Sequence, residues 1–243
     1  MQHPAIIISF MENSLNHGWD IDIKQAIKLQ LDLAQQVVRF NTNLAPVTVA
    51  GIDVSVSRFS KKGCAAVVVL SYPGMEIVDL SIAEGTINFP YIPGLLSFRE
   101  IPLVMDAWNG LKIRPDLAMV DGQGIAHPRR LGIASHLGIL LDIPTIGCAK
   151  SRLIGQHGTL QDEPGAYALL SDQDEVIGAA VRTRYAVNPL YISIGHKIDL
   201  LESIAWVLKC CRGLRLPEPT RLAHQAAGGI INRPRKQQNM ESK

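Results

Sequence analysis

The stretch at residues 117–132, LAMVDGQGIAHPRRLG, constrains the fold most strongly. It begins with four apolar residues, a pattern typical of a strand covered on both faces, and Asp121 follows directly. Gly122 and Gly124 then break the strand and allow a ligand to approach the backbone closely. The pattern predicts a carboxylate at a strand end, facing a cleft. An ordinary loop between a strand and a helix contains the same residue types, so this stretch alone leaves both interpretations open.

Three strand-like segments precede this stretch. Residues 47–56 are rich in β-branched side chains, and residues 64–73 and 75–85 follow after short connections, which predicts an antiparallel meander. The first segment places Asp53 inside a strand. An unpaired carboxylate is costly there unless it faces solvent or a cation, so Asp53 is a candidate metal ligand.

A βαβ unit is predicted around Asp121. A helix at residues 131–141 leads to a second apolar segment at 143–151, which ends near Lys150. Strands joined in this way run parallel, so Asp121 and Lys150 are expected at the same edge of the sheet.

Helical periodicity predicts further elements around these strands. Residues 21–40 read as an amphipathic helix, and residues 90–112 open with two prolines and place Glu100 about two turns into a helix. The later elements are predicted as a hairpin at 166–184, a strand at 189–198, a helix from Asp199 and a short helix carrying His224 that Thr220 can cap.

Length and composition predict one domain. The chain has 243 residues, of which 47% are hydrophobic and 19% charged, and no shift in composition divides it. We therefore predict a single α/β domain over residues 1–243. Residues 1–20 show no clear pattern, and residues 233–243 read as a disordered basic tail.

Charge and cysteine usage bear on the partner and the compartment. The net charge of +2 permits a polyanionic partner without requiring one. The four cysteines lack CxxC spacing, which favours a reducing compartment, and no apolar run reaches the roughly 20 residues of a membrane span. These features predict a cytoplasmic protein without a membrane partner, and we expect it to be a monomer.

Three acids from separate elements suggest a metal site. Asp53, Glu100 and Asp121 would repel one another in a shared cleft unless a cation lay between them. Carboxylate oxygens suit Mg²⁺ or Mn²⁺, and Lys150 can bind phosphate or orient the attacking water. The set predicts phosphodiester hydrolysis, although spacing alone does not prove that the acids converge.

Five motifs resemble the endonuclease V family over residues 22–231: GIDVS, PYIPGLLSFRE, VDGQGIAHPRRLGIASHLG, IGCAKS and RLPEPTRLAH. The resemblance implies an RNase H-like fold, with a mixed central β-sheet flanked by helices. It also implies Mg²⁺-dependent cleavage of DNA, with Mn²⁺ as a substitute. The expected cut is at the second phosphodiester bond on the 3′ side of deoxyinosine, leaving a 3′-OH and a 5′-phosphate.

The resemblance also assigns roles to residues. Asp53 and Asp121 match metal-binding aspartates, Glu100 matches the catalytic glutamate and a further metal contact, and Lys150 matches the active-site lysine. Tyr91 matches a wedge that enters the duplex where the damaged base has left the stack. The other matched substrate-binding positions are Pro90, Ile92, Pro93, Gly94, Leu96, Gly122, His127 and Ile133.

Several alternatives accompany these assignments. His224 matches a position linked to a second metal ion, yet His127 and His224 also suit structural roles. Tyr91 between two prolines also suits local packing. The same acids would serve a nuclease acting on inosine-containing RNA, and a non-catalytic binder of damaged nucleic acid is the third possibility.

Overall fold

The computed structural model of the chain describes residues 18–40, 44–56 and 61–231. Residues 1–17 and the predicted basic tail at 233–243 lie outside the described residues. The strands are β1 Thr48–Val56, β2 Lys62–Ser71, β3 Ile77–Thr86, β4 Leu117–Val120, β5 Thr145–Ala149, β6 Tyr167–Asp172, β7 Glu175–Val181 and β8 Leu190–His196. The helices are α1 Ile23–Ala34, α2 Leu96–Asn109, α3 Ile133–Leu141, α4 Leu200–Lys209 and α5 Glu218–Ala227.

The eight strands form one mixed sheet in the order β3-β2-β1-β4-β5-β8-β7-β6. Strands β1, β4 and β5 are parallel neighbours, and the other pairs are antiparallel. The predicted meander, hairpin and βαβ unit are therefore confirmed. Within the described ranges, no helix is long and apolar enough to cross a membrane.

Helices cover both faces of the sheet. On β4, Leu117 and Met119 pack in the same cluster as Trp206 of α4, whereas Ala118 and Val120 pack with residues of α2 and α3 such as Val104. Alternate side chains of a strand point to opposite faces, which is why a continuous apolar run suits this position. Both faces of the central strands are buried as a result.

Helix α1 is shorter than its apolar periodicity predicts. It begins at Ile23 after the Asp22 capping box and ends at Ala34, not near residue 40. The prediction of a longer helix was wrong because Val38 bonds elsewhere: its N–H donates to His196 Nδ1 at 3.2 Å, and its carbonyl accepts from Lys197 N at 2.7 Å. Tertiary hydrogen bonds thus override helical spacing at the end of α1.

The inward face of α1 also differs from the apolar pattern. Leu31 is 50% exposed, and Ile23 is 46% exposed. The residues that turn inward are Ala26, Gln30 and Leu33. A polar amide therefore occupies the centre of the buried face.

Three smaller corrections concern local structure. Helix α2 begins at Leu96, so Glu100 lies just beyond its first turn and not two turns in. Pro217 occupies the N-cap of α5, whereas Thr220 lies inside the helix and donates to Pro217 O at 3.2 Å. Trp19 packs against Phe98, so part of the unassigned N-terminal segment belongs to the fold.

Candidate active site

Asp53 of β1 and Asp121, which directly follows the parallel strand β4, lie side by side. Ile52 of β1 pairs with Val120 of β4, and the Asp121 N–H donates to Ile52 O at 2.9 Å. The next residue on each strand is an aspartate. Their side chains are 10% and 13% exposed, so the sheet holds two largely buried carboxylates in adjacent positions.

Lys150 reaches these acids from the end of β5. It follows the strand directly, as predicted, and its Nζ donates to Asp121 Oδ2. Arg215 fixes the backbone here, because its Nη2 donates to Lys150 O at 2.7 Å and to Pro189 O at 2.9 Å. The ammonium group partly neutralises the aspartate pair.

His224 comes from α5, at the other end of the chain. Its Nδ1 lies 2.6 Å from Asp53 Oδ2 and 3.5 Å from Lys150 Nζ. Gly51 makes this approach possible, because a Cβ at that position would lie 1.8 Å from Pro219 O of α5. The absence of a side chain on β1 thus lets the helix carry His224 to the aspartates.

Glu100 faces the same acids from α2. Burial and the charge of Asp53 raise the pKa of Glu100 to about 8. Burial and the charge of Asp121 also raise the pKa of Asp53. Buried carboxylates that repel one another gain stability from a proton or a cation, so the centre is electrostatically prepared for a positive ion.

The donor atoms fit a divalent cation. Single ligand atoms of Asp53, Asp121 and His224 all lie within 4.8 Å of one another. Two carboxylate oxygens suit Mg²⁺ or Mn²⁺, whereas an imidazole ligand is more typical of transition metals than of Mg²⁺. Across the described ranges Glu100 is not part of this group, and its link to Asp53 and Asp121 is electrostatic.

A cavity of about 340 Å³ adjoins the acidic centre. One wall is the loop before α2, and the other is the turn from β4 into α3. Asp121 and Lys150 line this cavity as well as belonging to the acidic centre. The cavity brings together the predicted substrate-binding residues Tyr91, Ile92, Pro93, Gly94, Leu96, Gly122, His127 and Ile133, whereas Pro90 is not among its lining residues.

Tyr91 lies at the rim of the cavity. Its side chain is 71% exposed, although it is a large aromatic group. Local packing, the alternative considered for this residue, would hide more of the ring. The exposed position leaves the ring available for a partner.

His127 holds the walls of the cavity together. Its Nδ1 accepts from the Arg129 N–H at 3.1 Å, and its Nε2 lies 3.1 Å from Gly94 O and donates to it. Burial and the charge of Arg129 lower the pKa of His127 to about 4, so the neutral ring that this pattern requires is favoured. Both ring nitrogens are therefore engaged within the protein.

Sequence reasoning missed several polar residues that line the cavity, among them Gln30, Gln123 and Arg152. Gln123 directly follows Gly122, so its place in the motif was a usable signal. Gln30 is 1% exposed on α1, and a buried polar residue on an amphipathic helix is itself unusual. Arg152 follows Lys150 by two residues, and no pattern in the sequence marks it.

The fold and the site define a class of protein. A mixed sheet that carries paired aspartates, a lysine and a buried glutamate beside a cavity is the arrangement of a metal-dependent hydrolase of the nuclease type. The chain belongs to the endonuclease V family, whose model, described as Endonuclease V, matches residues 31–225. Its fold is RNase H-like, as the resemblance implied.

Individual relatives agree with this family. Endonuclease V of Dehalococcoides mccartyi is 56% identical over 215 residues, covering 88% of this chain and 96% of that protein. The crystal structure of Endonuclease V from Streptomyces avermitilis is 37% identical, with a TM-score of 0.83 over 87% of this chain and 94% of that chain. Endonuclease V of Ciona intestinalis is 28% identical, with a TM-score of 0.74 over 85% of this chain and 96% of that chain. That protein was crystallised with a 24mer DNA containing an inosine followed by a ribo-adenosine.

Proposed function

We propose that the protein is a Mg²⁺-dependent DNA repair endonuclease that recognises deoxyinosine. It cleaves the second phosphodiester bond on the 3′ side of the lesion. One observation carries this proposal: Asp121 and Lys150 belong both to the acidic centre and to the lining of the cavity. A base held in the cavity therefore places its own strand beside the acids.

Hypoxanthine is the base that we assign to the cavity. A base must leave the stack to enter such a site, and Tyr91 at the rim is placed to fill the space it vacates. Gly94 and Gly122 place no side chain at their own positions in the walls, so backbone groups there can read the edge of the ring. The inosine-containing DNA bound by the Ciona intestinalis relative supports this substrate.

Asp53 and Asp121, with His224, would hold the metal ion. When bound, Mg²⁺ or Mn²⁺ supplies positive charge to the phosphate and lowers the pKa of water. His224 lies with the two aspartates, so it can complete one site with them and a second ion is not required.

The residues of the chain divide the remaining work. A water oxygen gives up a proton and attacks phosphorus, the bond from phosphorus to the 3′ oxygen breaks, and that oxygen takes up a proton. The products carry a 3′-OH and a 5′-phosphate. Lys150 contacts the phosphate, and the Glu100 carboxylate, which faces both aspartates, is placed to take up the proton of the attacking water.

The first experiment is a nicking assay on a labelled duplex with one deoxyinosine. We expect one strand break in Mg²⁺, none in a chelator, and much slower nicking of the matched duplex with deoxyadenosine. Nicking that persists in the chelator would overturn the metal assignment. Equal nicking of both duplexes would overturn the substrate assignment.

Inosine-containing RNA is the second candidate substrate, since the same acids hydrolyse either backbone. Side-by-side cleavage of DNA and RNA of one sequence separates the two, and faster cleavage of RNA would replace the DNA proposal. Binding of deoxyinosine without any metal-dependent nicking would instead favour the non-catalytic binder. The monomeric state and the cytoplasmic location remain predictions from the sequence.

A further inference from the structure

Gln30 occupies an unusual position for a polar residue. It lies on the buried face of α1, is 1% exposed, and precedes the part of the chain that the family model matches. Its Nε2 donates to Gly94 O at 3.0 Å and to Leu131 O at 2.6 Å, and its Oε1 accepts from Arg129 Nε at 2.5 Å. Both amide hydrogens are thus committed to protein carbonyls.

These partners belong to opposite walls of the cavity. Gly94 lies in the loop before α2, whereas Arg129 and Leu131 lie in the turn from β4 into α3. Gly94 O also accepts from Arg129 Nη2 at 2.8 Å and from His127 Nε2 at 3.1 Å. Gln30 and Arg129 together therefore tie one wall to the other.

The loop has little room to move at this contact. Gly94 has a φ of +81°, which favours glycine, and a Cβ there would lie 2.7 Å from Arg129 Nη2. The Gly94 carbonyl is two residues from Leu96, and Leu131 is two residues from Ile133; both Leu96 and Ile133 line the cavity. A shift of either hydrogen bond from Gln30 would change the width of the cavity next to these residues.

We propose that Gln30 is a positioning residue that sets the separation of the two cavity walls and thereby the selectivity for the deaminated purine. The inference rests on the proposed function. A site that reads a base by hydrogen bonds discriminates strongly when its groups are held in place. Gln30 has no free N–H to offer a ligand, so it acts through the walls and not by reading the base.

The test compares two variants of Gln30. Gln30→Met keeps the length of the side chain and removes every hydrogen bond. Gln30→Glu keeps an acceptor for Arg129 but loses both donors to the walls. For each variant, KM and kcat are measured on a deoxyinosine duplex and on the matched deoxyadenosine duplex, and thermal unfolding is followed in parallel.

We expect KM for deoxyinosine to rise about 10-fold in both variants, the scale of one lost hydrogen bond, with kcat within about twofold of wild type. The preference over deoxyadenosine should fall by a similar factor. Gln36→Met, an exposed glutamine beyond the end of α1, should change neither quantity.

The Leu33→Ala variant distinguishes a purely structural role of Gln30 from the proposed positioning role. Leu33 is 1% exposed on the same helix and packs with Leu131 and Ile139, so this variant weakens the packing of α1 while keeping the hydrogen bonds of Gln30. It should lower the melting temperature and keep the preference for deoxyinosine. The proposal would be overturned if Leu33→Ala lost as much preference for deoxyinosine as the Gln30 variants do, at a melting temperature similar to theirs.

The remaining outcomes are also decisive. An unchanged KM and preference in both Gln30 variants would overturn the positioning role while leaving the nuclease assignment intact. If neither variant folds, Gln30 is a folding residue and the proposal fails. If wild type does not nick deoxyinosine at all, the proposed function fails first and this inference fails with it.

Discussion

The central residues are acids that the fold holds together against their mutual repulsion. Asp53 and Asp121 are each about nine-tenths buried, and Glu100 faces both of them. Lys150 hydrogen-bonds to Asp121, and His224 hydrogen-bonds to Asp53. Such a centre is less stable without a cation than with one, so binding the ion and folding should be linked.

The single-residue change Asp121→Asn tests the metal assignment. The change removes one of the paired carboxylates while leaving most of the cavity intact, so nicking in Mg²⁺ should fall by about 100-fold or more. Binding of the deoxyinosine duplex in Ca²⁺ should largely remain. Asp174→Asn, an exposed acid in the β6–β7 hairpin, is the matched control, and near wild-type nicking by Asp121→Asn would refute the assignment.

The pH dependence of stability in the Glu100→Gln variant tests whether the pKa of Glu100 is raised. The folded pKa of about 8 lies above the ordinary glutamate pKa of 4.5, so the folded state binds the extra proton. The free energy of unfolding should therefore decrease as pH rises from about 4.5 to about 8. In a chelator the variant should match wild type near pH 4.5 and exceed it at pH 9 by up to about 5 kcal/mol, because it cannot ionise.

Denaturant titration at the two pH values measures this difference. Asp106→Asn changes an exposed acid on the same helix and should leave the pH dependence as in wild type. A stability gain for Glu100→Gln that is equal at both pH values would show that the carboxylate is not held by burial and repulsion.

At the scale of elements, the site depends on how closely helices approach the sheet. Asp53 and His224 are 171 residues apart in sequence, and α5 joins them by packing directly on β1 at Gly51. The loop before α2 plays the corresponding role for the cavity, since Gly94 brings its carbonyl to Arg129 and His127. Both approaches use positions without a side chain.

Gly51→Ala should displace α5. Its new Cβ would meet the Pro219 carbonyl at 1.8 Å, a backbone contact that cannot rotate away. We expect a loss of about 2 kcal/mol or more in the free energy of unfolding, together with reduced nicking as His224 leaves Asp53. Gly158→Ala, where a Cβ meets nothing within 4 Å, is the control, and wild-type stability for Gly51→Ala would contradict this packing.

Tyr91→Ala tests the wedge. The exposed ring contributes little to folding, so the melting temperature should stay close to wild type. Binding of a deoxyinosine duplex should weaken by roughly 1–3 kcal/mol, about 5- to 150-fold, through lost stacking. The defect should shrink at saturating protein and on single-stranded substrate, where there is less helix to open.

Equilibrium binding and single-turnover nicking on both substrate forms measure these effects. Tyr167→Ala, a half-exposed tyrosine on the edge strand β6, serves as the control. An equal loss on both forms that excess protein does not relieve would place Tyr91 in the catalytic machinery instead.

For the whole molecule, sequence patterns predicted the parts of the site that depend on residues close together in the sequence. The apolar run before Asp121 and the βαβ spacing to Lys150 were sufficient to place both at one edge of the sheet, because parallel strands align their ends. The end of α1 and the burial of Gln30 were not predictable in this way. They depend on hydrogen bonds to His196 and Gly94, which lie far away in the sequence.

The proposed reaction requires that a base in the cavity bring a defined phosphate to the acids. The most direct measurement is cleavage mapping at nucleotide resolution on a deoxyinosine duplex labelled at either end, in Mg²⁺ and in a chelator. We expect a single Mg²⁺-dependent cut at the second phosphodiester bond 3′ to deoxyinosine, with a 3′-OH that a polymerase extends and the base still attached. Release of free hypoxanthine, a cut at another bond, or equal cleavage in the chelator would contradict the assignment.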